Sequence, residues 1–362
     1  DLIPLWVADM DFATAPFVTD AIRKRCENEV LGYTGKPDSY YNAIINWVKQ
    51  RYDLIVTKEV INFVPGIVPG IGMAMNCFTQ KGDKVMIQPP VYHPFAWVTT
   101  RNERTLVINP LRWENGMYRM DLDAFREQIK GCKLFILCNP HNPGGVVWTE
   151  AELRAIADIC YDEKVLVFSD EIHADLTLPP HTHRPFATVS EKARMNSVTF
   201  MSPSKAFNMP GLSASHALIF NEDLRKRFRI YMDAGELDMG HVFAFLSVEA
   251  AYSHGTEWLD QCLAYIQGNI DFVDEFLKKH APKIKAIRPE ASYLVWLDCR
   301  ELELSQKDLN EFFVDKAHLA LNDGEMFGKE GIGFMRLNVA SPRCIIEKAM
   351  KQLADAYQLY IK

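Results

Sequence analysis

This 362-residue chain lacks several features that would fix its class at once. No apolar run approaches the roughly 18 to 20 residues that a membrane-spanning helix needs. The longest apolar patches are broken by proline and glycine, as between Pro65 and Met75. Lys and Arg are scattered, with no run of five or more, and the net charge is −7. That balance gives no footprint for nucleic acid or an anionic membrane. None of the eight cysteines forms a C-x-x-C pair, so zinc-ribbon and thioredoxin-type readings lack support. Cys138 and Cys160 lie inside apolar runs, where cysteine behaves as a small hydrophobe. A reduced, cytoplasmic setting is the simplest inference. There is no internal repeat and no low-complexity linker. The chain opens on Asp1 rather than methionine, which implies a missing leading segment.

What is present is a core-forming composition, 48% hydrophobic, on a length that suggests two domains or one with an appendage. Short apolar runs at Val60–Val64, Lys84–Gln88, Thr105–Asn109, Lys133–Cys138, Val165–Ser169, Val198–Met201 and His216–Phe220 read as strands buried on both faces. Helical patterns separate them. The clearest is Glu150–Glu163, where Thr149 and Glu152 have capping-box spacing and Leu153, Ile156, Ala157 and Cys160 form one stripe. The alternation predicts a doubly wound, mostly parallel α/β sheet. Beyond about residue 245 come long helices, Phe245–Tyr252 and Leu259–Lys279, then strands at Tyr293–Leu297 and Gly333–Val339. The expected organisation is an N-terminal arm over 1–29, a large domain over 30–260 and a smaller α+β domain over 261–362. The arm is expected to bury its Leu2–Ala8 run against the small domain.

Unusual chemistry follows each strand. The successive endings are "PGIVPGIG", "PPVYHPF", "NPHNPGG", "DEIHAD" and "SPSKAFN". In open α/β sheets, ligands bind at the carboxyl ends of the strands, so these five would converge on one pocket. "PGIVPGIG" matches neither G-x-x-x-x-G-K-[ST] nor G-x-G-x-x-G. It can still turn backbone N–H groups toward an anion as it enters a helix beginning near Ile71. In "NPHNPGG" two prolines hold Asn142 on a rigid loop. Asp170 ends a very apolar strand, where an unpaired carboxylate is costly. Lys205, flanked by Ser202 and Ser204, suits either a phosphate contact or a covalent bond to a carbonyl. A rival reading makes Asp170, His173 and Asp175 a metal site with His181 and His183. It leaves Lys205 and Tyr92 without a task. Taken together, a carboxylate for a pyridinium nitrogen, an amide for a phenolate oxygen, a tyrosine for ring stacking, phosphate donors and a reactive lysine describe pyridoxal phosphate, with no metal.

At these residues the chain resembles a fold-type I pyridoxal-phosphate enzyme of the class I/II aminotransferase superfamily. It is most similar to the cystathionine β-lyase and cystalysin-like C–S lyase group. "PLWVADMDF", "LGYTG", "NPHNPGG", "SDEIH", "SPSKAFN" and "GFMRLNVASPR" carry the likeness over essentially the whole chain. The resemblance implies that Lys205 is the Schiff-base lysine and the acid/base at the substrate Cα. It implies that Asp170 pairs with the ring nitrogen, Asn142 with the phenolate oxygen, and Tyr92 with the ring face. Ser202, Ser204 and the backbone at Ile67 and Val68 would hold the phosphate. Tyr33 would reach the phosphate of a neighbouring subunit in a homodimer, and Arg336 would clamp the substrate α-carboxylate. Two positions depart from many relatives. His173 stands where a tyrosine is frequent, and Ser213 stands where many transaminases carry an arginine to the phosphate.

The implied activity is α,β-elimination from L-cystathionine or L-cysteine, giving pyruvate, ammonia and a thiol. An L-amino-acid aminotransferase is the alternative, and a cofactor-binding regulatory protein a third. Tyr231 and the "GELDMGHVF" segment are open between the substrate pocket and a dimer contact. Asp9 and Asp11 are open between a turn cap and an approach to substrate.

Overall fold

The computed structural model describes residues 2–360. Its centre is a seven-stranded sheet in the order Ile61–Val64, Ser215–Leu218, Ser197–Met201, Leu166–Asp170, Cys132–Cys138, Lys84–Ile87 and Thr105–Ile108. Every ladder is parallel except the two made by Ser215–Leu218, which runs antiparallel to both neighbours. Ser197–Met201 is buried along its whole length and Leu166–Asp170 at all but its first residue, as strands covered on both faces are, which is why they read as continuous apolar runs. The expected strands match these to within one or two residues. The helix Glu150–Asp162 starts with the anticipated capping box. The Thr149 hydroxyl accepts from Glu152 N–H, and the Glu152 carboxylate accepts from Thr149 N–H.

Two expectations need correction. The helix after the first strand starts at Ile67, not near Ile71. Pro69 fits its first turn, where the missing N–H costs nothing. The arm does not bury the whole Leu2–Ala8 run. Ile3–Pro4 pairs parallel with Leu319–Ala320, which buries Ile3 and Leu5 but leaves Leu2, Trp6 and Val7 exposed. Extended backbone sends alternate side chains to opposite faces, so one run cannot all point inward. The helix Pro16–Cys26, still within the expected arm, packs instead on Val242–His254.

A second sheet of four strands, Lys285–Ile287, Leu294–Asp298, Phe334–Asn338 and Asn322–Asp323, lies beyond the long helix Thr256–His280. Arg336 sits mid-strand there, opposite Trp296 on one side and Asn322 on the other. The "NPHNPGG" loop meets this region closely. Gly145 adopts φ +68°, and a Cβ there would lie 2.5 Å from Pro289 Cβ. Its carbonyl accepts from Glu290 and Ala291 N–H at 2.8 and 3.1 Å. Only glycine meets both demands. Among the described residues, no helix is long and apolar enough to cross a membrane.

Candidate active site

The five polar strand endings do converge. A cavity of about 210 Å³ is lined by Gly66–Val68, Tyr92, Asn142, Asp170, His173, Ser204 and Lys205, among others. The parallel sheet explains this, since its strands deliver their C-terminal ends to one edge. Ser202, Tyr33 and Arg336 do not line the cavity, though Arg336 bonds Asn142, which does. The Ser202 hydroxyl donates to Ala214 O at 2.7 Å and accepts from Ser204 N–H at 3.1 Å, so it holds the turn that presents Ser204 and Lys205. Tyr33 is 97% exposed. Sequence reading missed Ala8, Cys138, Ile172 and Ser215 as lining residues, and gave Ser213 only as a departure. Ser213 and Ser215 follow a Pro-Gly turn that only the fold returns to the strand ends.

The helix Ile67–Phe78 starts here with no side-chain cap. Gly66, Ile67 and Val68 at its start line the cavity, and a helix N-terminus favours an anion. At the other end of the cavity Asp170 is buried, and its Oδ1 accepts from Ile172 N–H at 3.1 Å. Burial pushes its carboxyl up to about 7, helped by the Glu171 charge and opposed by the Ile172 bond and Lys205. Burial pulls the Lys205 ammonium down to about 8, and the Arg336 charge adds to the fall. Burial also takes His173 down to about 3, so its ring is neutral. Its Nδ1 is buried with no partner among the described residues.

Arg336 is 4% exposed. Its Nη1 donates to Asn142 Oδ1 at 3.0 Å, and its Nη2 donates to Trp6 O at 3.0 Å and to Asn322 Oδ1. All these acceptors are neutral, and no carboxylate pairs with it among the described residues. Its Nε has no partner among the described residues. Burying a guanidinium without a counter-ion is costly. Because Asn142 Oδ1 is already taken, its amide nitrogen is the end left to donate.

Of the residues in the metal reading, Asp170 and His173 line the cavity, whereas Asp175 and His183 have other partners. Asp175 accepts from Trp47 Nε1 at 2.9 Å and from Tyr52 OH, while His183 pairs with Glu171 at 2.8 Å. Tyr231 and residues 235–243 lie outside the cavity lining, and His241 caps the helix Val242–His254. In the arm, backbone carbonyls bond the two cations, and the Asp9 charge also acts on Lys205. Trp6 O lies on Arg336, and Ala8 O accepts from Lys205 Nζ.

This geometry finds its parallel among known proteins, because the family described as aminotransferase class I and II matches residues 1–353. The chain belongs to the class I and II aminotransferase family. Within that family it is 38% identical to cystathionine beta-lyase PatB of Bacillus subtilis (strain 168), over 98% of this chain and 92% of that protein. The structure of cystalysin from Treponema denticola, which contains pyridoxal 5'-phosphate, superposes with a TM-score of 0.96 at 34% identity, covering 100% of this chain and 92% of that one. The PLP-bound C–S lyase of Staphylococcus hominis gives 0.92 at 35% identity, covering 98% and 91%. For this member of the class I and II aminotransferases, the doubly wound α/β fold follows from the chain's own sheet and from these likenesses together.

Proposed function

We propose that this protein is a pyridoxal-phosphate-dependent carbon–sulfur β-lyase acting on L-cystathionine or L-cysteine-type substrates. The observation that carries the reading is the placing of a depressed lysine and a raised carboxyl in one cavity beside a buried arginine that has no counter-ion. The likeness to cystathionine beta-lyase PatB and to the two C–S lyase structures supports the choice of reaction.

The residues fit the cofactor. The uncapped helix start at Ile67 and Val68, with the Ser204 hydroxyl, suits its phosphate. Asp170 suits its ring nitrogen, Asn142 and His173 its phenolate oxygen, and Tyr92 its ring face. Ser202 serves as the brace behind Ser204. When bound, the cofactor's protonated ring accepts the electron pair left at the substrate Cα. Lys205 is the covalent anchor. Once its amine is free, it takes the Cα proton, a role that contributes on the order of 10² to 10⁴ in rate. A side chain held near pH 8 has a usable free-amine fraction at neutral pH. Arg336 receives the substrate carboxylate on its open edge and replaces its missing counter-ion. Loss of the Cβ thiolate would leave an enamine, which one water hydrolyses to pyruvate and ammonia.

The same reading takes the chain as a homodimer. Tyr33 stands almost fully exposed beside exposed Val30 and Leu31, as suits a loop that completes a neighbour's phosphate site. It also takes 30–260 as the cofactor domain, 261–362 as the smaller domain and 1–29 as the arm. The test is pyruvate release from L-cystathionine or L-cysteine with no keto acid present. Sustained turnover is the expected result. Activity that appears only when a keto acid is added would assign the protein to transamination instead.

A further inference from the structure

The arm residues Leu5 to Phe12 have no regular secondary structure, yet both cations of the site rest on their carbonyls. Two asparagines grip this strap from opposite sides. Asn338, two residues past Arg336, donates through Nδ2 to Val7 O and Asp9 O, both at 2.6 Å. Its own N–H bonds Leu5 O at 2.9 Å, and its Oδ1 accepts from Ala340 N–H at 2.8 Å. Asn208, three residues past Lys205, donates to Met10 O at 2.9 Å and Phe12 O at 2.7 Å, and its Oδ1 accepts from Met10 N–H at 3.0 Å. With the carbonyls of Val7 and Asp9 turned to Asn338, the carbonyl between them turns the other way. Ala8 O therefore meets Lys205 Nζ and accepts from Tyr293 OH at 2.9 Å. Neither asparagine lines the cavity.

We propose that Asn208 and Asn338 are positioning residues: by clamping the strap they fix the Ala8 carbonyl as the acceptor that holds Lys205 Nζ at the cavity. A lysine amine rides on a flexible four-carbon stem, and its reach is useful only when its end is held. The strap alone cannot provide that hold, because irregular backbone without partners is free to move. The clamp supplies the partners, one from each sheet region, and links the Lys205 segment to the Arg336 strand. The consequence for catalysis rests on the reading of Lys205 as the reacting amine. The clamp itself is tested without it.

The experiment compares wild type, Asn338→Asp and Asn208→Ala. The aspartate keeps the acceptor for Ala340 N–H but sets a carboxylate oxygen against the Val7 and Asp9 carbonyls, so it opens the clamp by repulsion as well as by lost bonds, and Asn208→Ala opens it by lost bonds alone. Cofactor-free protein is labelled with trace acetic anhydride across pH, and Lys205 acetylation is followed by peptide mass spectrometry beside hydrogen exchange of residues 5–12. In both variants Lys205 should label several-fold faster and the strap should exchange faster. In the cofactor-loaded enzyme, kcat for pyruvate release should fall roughly ten- to a hundred-fold, as misplacement of a reacting group does. The α-deuterium isotope effect on kcat should rise with it. Wild-type labelling and exchange in both variants would overturn the clamp, and a fall in kcat with an unchanged isotope effect would overturn its consequence for proton transfer. Absence of pyruvate from the wild type would count against the lyase reading and leave the labelling result to decide the clamp.

Discussion

Lys205 and Arg336 are two cations held in one apolar site, and each costs the empty protein stability. For Lys205 the sign follows from its pKa, which folding lowers from 10.5 to about 8. Below pH 8 the folded protein must bury the ammonium, so the full cost is present. From 8 to 10.5 the folded state has shed a proton that the unfolded chain still binds, and the cost fades. In cofactor-free protein, Lys205→Met should therefore melt above wild type at pH 7, with the gap closing toward pH 10.5. Scanning calorimetry at the two pH values checks this, and an equal gap at both would count against it. Arg336→Lys keeps the charge but loses the planar fork that receives a carboxylate. KM for the amino acid should rise roughly tenfold or more, since a charge-assisted bond contributes about 1.5–3 kcal/mol. Steady-state kinetics would show this, with a smaller change in kcat.

Two helices illustrate opposite uses of an N-terminus. Glu150–Asp162 has its first N–H groups satisfied by Thr149 and Glu152, as its surface position demands. Thr149→Ala should cost about 1 kcal/mol in denaturant unfolding and leave kcat unchanged. Ile67–Phe78 is left without a side-chain cap, behind Gly66 at φ +151°. On the proposed reading, its first N–H groups are left for the cofactor's phosphate. The capping box was readable because it lies within four consecutive residues. The start of the second helix was misplaced because proline and glycine in "PGIVPGIG" resemble loop residues until the cavity shows what the turn is for.

The whole molecule adds what no single chain segment supplies. If Tyr33 completes the partner's site, Tyr33→Ala and Lys205→Ala should each be nearly inactive as homodimers. Mixed one to one and reassembled, half of the dimers are hybrids, and each hybrid keeps one intact site. Activity should recover to roughly a quarter of wild type if subunits assort freely. Recovery absent after verified subunit exchange would place Tyr33 outside the neighbouring site.

The sequence by itself determined the sheet, because strands buried on both faces must be apolar throughout. It also marked polar groups that the fold brings to one cavity, because a lysine, an aspartate and an asparagine at strand ends violate that apolar rule in readable places. Only the tertiary structure decided how those groups are held. Asn208 and Asn338 look like ordinary polar residues in "SPSKAFN" and "RLNVASP", and nothing local says that they grip residues 5–12 from some 200 and 330 positions away. Likewise, Ser202 and Ser204 are alike in sequence, yet one braces a turn and the other faces the cavity. Local pattern records what a residue must avoid or bury. Its hydrogen-bond partners are chosen by chain segments that meet only after folding.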